Sequence, residues 1–321
     1  MSTSAISAIV PVWNGRDLLA RLLNSLAAQT RAVDELLIID NGSTDGAADL
    51  ARGGGARVIP MGQNAGFARA VNRGIREARH EWIAILNTDV ELAPDYLERL
   101  VEAGAPFATG KLVNPSGMLD GTFDLTTRGG VTWRAGAGLR DAPPFDQGRE
   151  IASAPWTAVV YRAEVFRQVG LLEESFESYL EDVDFGLRCA EHQVAGRYVP
   201  EARATHLGSA SLGRWHPETV RRMARNQLLI AARHLLARDT WPIAASQLLW
   251  GGVALRHGCG VAWLRGIGQG LGQFSAARKN FQREDPELLR HALQSNERFV
   301  AKHCTDLYWK VVLSLTGGGA K

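Results

Sequence analysis

Over the first hundred residues, short apolar runs alternate with stretches whose apolar residues recur every three or four positions. The runs "ISAIVPV" (6–12), "ELLIID" (35–40), "ARVIPM" (56–61) and "EWIAILN" (81–87) read as strands. Between them, "RDLLARLLNSLAAQ" (16–29), "TDGAADLAR" (44–52) and "GFARAVNRGIREAR" (66–79) read as helices. Strands separated by helices of this length predict βαβ units in a doubly wound, mainly parallel α/β sheet. Ser43-Thr44-Asp45 predicts a helix cap, and Pro94 in "LAPDYLERL" a first helical position.

From Gly104 to Ala154 the period is lost, and a stretch rich in Gly, Pro and polar residues predicts irregular strands and loops. Regular pattern returns in "WTAVVYRAEVFRQVG" and "ESYLEDVDFGLRCAEH". After His206 the chain is mainly helical: "PETVRRMARNQLLIAARHLLAR", "WPIAASQLLWGGVALRHG" and "DPELLRHALQSNERFVAKH". The expected division is a front of residues 1–208 and a helical back of residues 209–321, with the boundary between Gly208 and Arg214.

Composition narrows the class. A chain of 321 residues, 45% hydrophobic, can bury a substantial core. The net charge of +2 conceals an acidic front and a basic back, because residues 203–283 hold 12 Lys and Arg against 2 Asp and Glu. Cys189, Cys259 and Cys304 match no metal or redox spacing, which favours reduced thiols in a cytoplasmic protein. "MSTSAISAIVPVW" lacks the basic start of a signal peptide, and no apolar run reaches the length of a spanning helix.

The fourth strand candidate ends abruptly in Asn87, Thr88 and Asp89. Polar residues also end the first ("VPVWNG") and the second ("IIDNGSTDG"). Singly, such residues are ordinary turn formers or helix starters. In a parallel sheet all three meet at the carboxyl edge, where backbone donors and a carboxylate can hold a base and ribose. Neither a dinucleotide Gly-x-Gly-x-x-Gly after the first strand nor a P-loop is present.

In order, "VPVWNGRDLLARLLNSLAAQT", "ELLIIDNGSTDG", "NAGFARAVNRGI", "AILNTDV" and "YLEDVDFGLRCAE…ARATHLG" resemble the motifs of inverting family 2 glycosyltransferases of GT-A fold. The branch they resemble contains bacterial rhamnosyltransferases, and the likeness covers residues 5 to 208. It implies a Rossmann-like sheet that binds a nucleotide sugar and a divalent cation, Mg²⁺ or Mn²⁺, on the leaving diphosphate. Hard oxygen ligands suit such a cation, and its charge stabilises the departing group.

The resemblance assigns roles. Asn87-Thr88-Asp89 stands where the family has Asp-x-Asp, so Asp89 is the expected metal ligand and Asn87 a ribose contact or a residue behind the ligands. His206 completes the coordination, although a lone histidine after a strand also reads as structural. Asp182 in "YLEDVDFGLR" is the expected general base, with Glu181 positioning acceptor or base; Asp184 caps or pairs with Arg188 at i+4. Pro11, Val12, Trp13, Asn14 and Asp40 are expected at the nucleotide, Asp40 accepting from a uracil or thymine imide and Trp13 packing on the base. Asn64, Gly66, Arg69, Asn72, Asn87 and Thr88 complete the donor side. Trp156 faces the acceptor or fills the core.

The expected donor is dTDP-rhamnose first and a UDP sugar second, with a hydroxyl of a glycan or lipid-linked acceptor. In the back, Arg residues and Trp215, Trp241, Trp250 and Trp263 suit an anionic membrane surface on the inner face of the cell membrane. A homo-oligomer interface is the alternative. No nucleic-acid motif accompanies the charge. Processive synthases carry Gln-x-x-Arg-Trp, whereas "SLGRW" keeps only Arg214-Trp215. A catalytically silent nucleotide-sugar or glycan-binding protein is the rival class, kept open by Asn87.

Overall fold

A computed structural model positions residues 5–208 and 215–318, and the fold is described over these. The expected boundary stretch after Gly208, with Arg214, lies outside the described residues. The front opens with β1 (Ile6–Val12), α1 (Arg16–Ala27), β2 (Glu35–Asp40), α2 (Ala47–Gly53), β3 (Arg57–Pro60), α3 (Phe67–Glu77) and β4 (Trp82–Leu86). The four strands pair in parallel, with Val12 beside Asp40 and Ile9 beside Ile85. Strand residues alternate between two cores. Ile9 joins Val71 and Ile75 of α3 on one face, while Ala8, Val10 and Val12 join Leu19 and Leu22 of α1 on the other.

The chain continues through β5 (Val90–Leu92), α4 (Tyr96–Glu102), β6 (Phe107–Val113), β7 (Leu119–Gly121), β8 (Asp124–Thr126), β9 (Thr132–Arg134) and β10 (Arg149–Ile151). Then come β11 (Ala158–Arg162), α5 (Ala163–Val169), α6 (Glu181–Glu191) and β12 (Gly196–His206). The main sheet runs β10-β12-β6-β11-β4-β1-β2-β3, with β11 antiparallel between β4 and β6. A mainly parallel sheet with flanking helices is thus observed.

Three local expectations need correction. Strand β6 is a full member of the sheet, hidden in the sequence by the Lys at its centre; Lys111 is buried because Asp141 accepts from its ammonium at 2.5 Å. Helix α2 starts from Gly46, and Asp45 instead accepts from the amides of Arg16 (2.8 Å) and Ala47 (3.1 Å). Pro94 precedes the N-cap Asp95 and lies outside α4.

The back comprises α7 (Pro217–His234), α8 (Thr240–Arg256), α9 (Gly260–Lys279), α10 (Pro286–His303) and α11 (Leu307–Thr316). Ala262, Gly266 and Gly270 recur every four residues and turn the close face of α9 onto α7. Packing ties this region to the front. Asp184 of α6 is fully buried and receives Arg188 (3.0 Å), Arg233 Nε (2.6 Å) and His234 Nε2 (2.9 Å). Burial opposes its charge, but Arg188 and Arg233, with the hydrogen bond to His234, outweigh burial and hold its carboxyl far below the usual range. Farther on, Glu297 of α10 accepts from the Arg128 amide (2.9 Å) and guanidinium.

Candidate active site

The expected donor side is built from the loops at the carboxyl ends of β1, β2 and β4. Asn14 sits at φ +59 and spends its polar groups on the neighbouring loop. Its amide donates to Ser43 Oγ (2.9 Å) and its side-chain oxygen accepts from Thr44 N (2.9 Å). Asp40 accepts from Ser43 N at 2.9 Å. Asn41, not anticipated, accepts from Ala65 N (2.9 Å) and donates to Gly66 O (3.2 Å), pinning the Asn64–Gly66 loop to the end of β2. Its signal was the Asp-Asn-Gly turn itself. Pro11 is half-buried, and Trp13 stands out from the first loop at 48% exposure.

Gly66 is required where it stands. Its φ is +90, and a Cβ there would lie 2.9 Å from the Glu177 carbonyl. That close approach, with Ala68 N donating to Glu177 O and Phe67 N to Ser178 Oγ, brings the donor loop against the segment leading into α6. This segment is strained: Glu177, Tyr179 and Leu180 all have positive φ. Helix α7 holds it. The fully buried Asn226 Nδ2 lies 3.0, 3.0 and 2.7 Å from the carbonyls of Phe176, Ser178 and Tyr179. Arg225 donates to Glu177, Ser175 O and Phe176 O.

Asp89 and His206 meet because β5 pairs with β12, Val90 opposite His206. Asp89 Oδ2 is 3.2 Å from His206 Nε2, and Asp89 O accepts from Leu207 N. The other ring nitrogen, Nδ1, faces Asp120 Oδ2 at 2.7 Å, so Asp120 orients the imidazole toward Asp89. Burial opposes a charge on His206, yet hydrogen bonds to Asp120 and Asp89 prevail and raise its pKa to about 9. Burial also pushes Asp120 upward, but His206 outweighs it and lowers that carboxyl. Among the described residues no group of three His, Cys, Asp or Glu side chains is arranged to hold a cation unaided. Two do fit one: cis ligands at ~2.1 Å bonds stand about 3 Å apart, close to the Asp89–His206 spacing.

On the other side, Asp182 opens α6. Its Oδ1 accepts from Val183 N (2.9 Å), its Oδ2 lies 3.5 Å from Trp156 N, and Arg134 Nη2 reaches it at 3.8 Å. Arg134 lies across Gly121, where a Cβ would meet its side chain at 2.4 Å, and also contacts Asp124 (3.4 Å). Asp120 precedes Gly121, so a line of contacts through Asp120, Gly121 and Arg134 links the Asp89–His206 pair to Asp182. Burial opposes the Arg134 charge, but Asp124, Asp182 and Asp120 hold its pKa up. Asp124 is raised to about 6 by burial, with Arg134 opposing and Asp182 adding to the rise. Glu181 is buried, its Oε2 has no partner, and burial followed by Asp182 pushes its carboxyl well upward. Neither Asp120 nor Arg134 was anticipated, since both lie in the stretch without period.

Three expected roles change. Asn72 is buried in α3 and bridges the backbone of Leu172, donating to its carbonyl (2.9 Å) and accepting from its amide (2.9 Å). It is a structural tie. Trp156 is a core residue, 2% exposed, donating to Tyr161 Oη at 3.0 Å within a cluster with Phe166 and Phe185. Only its backbone faces Asp182. Val12 is 1% exposed with its side chain in the core, so only its main chain is left for a ligand. Arg69 is exposed and pairs with Glu174 at 3.4 Å; Asn87 and Thr88 are half-buried after β4, Asn87 N donating to Thr157 O. Asp184 pairs with Arg188 as expected, and with far more.

The mainly parallel sheet with its flanking helices is of GT-A type. The chain belongs to glycosyl transferase family 2, whose sequence pattern matches residues 7–169, and it falls in the rhamnosyltransferase-like branch. It is 27% identical over 244 residues to N-acetylglucosaminyl-diphospho-decaprenol L-rhamnosyltransferase of Mycobacterium tuberculosis, covering 66% of this chain and 79% of that enzyme. GalNAc-T7, solved with UDP, GalNAc and Mn²⁺, superposes at a TM-score of 0.66 with 13% identity, over 94% of this chain and 58% of that one. The mannosyltransferase PcManGT from Pyrobaculum calidifontis, in complex with GDP-Man and Mn²⁺, superposes at 0.53 with 16% identity, over 99% and 86%. These two likenesses bear on the fold, and the activity of the family is glycosyl transfer.

Proposed function

We propose a non-processive inverting transferase that moves a sugar, rhamnose first, from a pyrimidine nucleoside diphosphate to a hydroxyl of a glycan or lipid-linked acceptor. The observation that supports this is the line of contacts from the Asp89–His206 pair through Asp120, Gly121 and Arg134 to Asp182, which would border one cleft. Trp13, exposed beside Asp40, offers a ring to the base, and Asp40 an acceptor for an imide N–H. Asp89 and His206 would hold Mg²⁺ or Mn²⁺, which when bound neutralises the departing diphosphate. Asp120 keeps the His206 ring aimed at that point. Asp182 takes the proton of the acceptor hydroxyl as that oxygen attacks the anomeric carbon opposite the leaving group. Glu181, buried beside Asp182 at the start of α6, would position the acceptor or the base, and Arg134 keeps Asp182 facing the cleft.

The rhamnosyltransferase resemblance also suggests a lipid-linked acceptor, hence work in the cytoplasm at the inner membrane face. The test is a donor panel assayed by nucleoside-diphosphate release, with and without Mn²⁺ or Mg²⁺. dTDP-rhamnose should be used first, and chelator should abolish release; undiminished release in excess chelator would refute the cation's role. Because His206 without metal holds a proton up to about 9, Mn²⁺ affinity should strengthen as pH rises toward that value, read by calorimetry.

A further inference from the structure

Among the described residues, the large apolar side chains left exposed are unevenly placed. The front contributes only Trp13; the rest are Trp241, Leu248 and Leu255 of α8, Val261, Leu264 and Leu271 of α9, and Leu307 and Leu315 of α11. On α8 they recur every seven residues, and on α9 at intervals of three and seven, so each set forms a stripe along its helix. The inner faces are packed. Ala262, Gly266 and Gly270 are packed against α7. Trp250 and Trp263 are half-buried in a local core, and Trp215 stacks on His257 at 3.9 Å. Of the tryptophans expected to anchor a surface, only Trp241 stands outside; leucines take that place. Trp241 Nε1 donates to Leu315 O at 3.0 Å, joining the α11 leucine to the same patch.

Charge identifies what would cover this patch. Residues 240–279 contain no Asp or Glu. Arg256, Arg265 and Lys279 are exposed and make no ion pair among the described residues. We propose that the outer faces of α8 and α9 dock on an anionic lipid bilayer, with the leucine stripes entering the headgroup boundary and the arginines meeting lipid phosphates. A two-fold pairing of two copies would set one carboxylate-free basic face against itself, which like charges disfavour. No helix among the described residues is long and apolar enough to cross a membrane, so the contact is a surface one. The surface gives the acceptor reading above its location, and rests on that reading only for its purpose. Since α9 packs on α7, and α7 holds the loop before Asp182, docking would fix the cleft's standing distance from the lipid.

The test is flotation of the full-length protein with phosphatidylglycerol–phosphatidylcholine vesicles, against phosphatidylcholine alone. Three proteins are compared: wild type, Leu264→Asp with Leu271→Asp, and Arg256→Glu with Arg265→Glu. The wild type should float with the anionic vesicles only, and each double variant should bind at least about ten-fold more weakly. Binding of dTDP or UDP with Mn²⁺ should be unchanged in both variants, which shows that they fold. Wild type that ignores anionic vesicles, or variants that bind them equally, would overturn the proposal. So would sedimentation showing a wild-type dimer that the leucine variant dissociates. A wild type that binds vesicles but no nucleotide would instead overturn the transferase reading and leave the docking surface standing.

Discussion

Helix α7 and the α8–α9 pair are neighbours in sequence and in space, yet they use their side chains in opposite ways. Helix α7 buries polar groups, Arg225, Asn226, Gln227, Arg233 and His234, whereas α8 and α9 expose leucines. Buried polar groups are costly where a partner is missing, so each satisfied one specifies a geometry. Those of α7 specify the strained loop before Asp182 and the far side of α6. Exposed apolar groups carry no directional demand and suit a deformable surface. One side of the helical back therefore braces the loop before Asp182, and the other is available to a partner.

That contrast is most easily broken at Asp184. Replacing it with Ala strands Arg188, Arg233 and His234 in the interior, and should cost about 3–5 kcal/mol in urea unfolding. Its folded carboxyl is depressed, so its contribution is complete above about pH 4, the unfolded value, and is lost as pH falls below it toward the folded one. The variant should accordingly show a flatter acid-unfolding profile. Asn226→Ala should cost less, about 1–3 kcal/mol, by leaving loop carbonyls unmet. Asn226 acts through the loop and is a positioning residue. Its loss should lower kcat about ten-fold while donor KM stays within about three-fold. On the outer face, Leu248→Ser should shift stability by no more than about 0.5 kcal/mol. A large loss there would mean that the stripe is covered within the chain.

The front of the fold was legible because its signals are local. β1 and β2 fill the predicted runs, and β4 falls within one residue of its run at each end, since each is a short apolar segment closed by turn formers. What was hidden depends on distant partners. Lys111 makes β6 look like a loop until Asp141 arrives to pair with it. Asp120 and Arg134 are unremarkable polar residues until β7 and β9 set them beside His206 and Asp182. Asn72 and Trp156 carry side chains that suit a ligand or a core equally, and only their meeting with Leu172 and Tyr161 decides which. Asn226 lies in a helix whose pattern announces amphipathicity and nothing about the loop it grips.

Asp120 gives a graded check on the cation end. Asp120→Asn should loosen the His206 ring and weaken Mn²⁺ binding by about 10–100-fold, read by titration with nucleotide present. The most direct test of the whole account is Asp182→Asn, assayed for transfer and for nucleotide binding in the same preparation. Transfer should fall by about 10²–10⁴-fold while dTDP or UDP with Mn²⁺ binds as in the wild type. Transfer at the wild-type rate would contradict the assignment of Asp182 as the base.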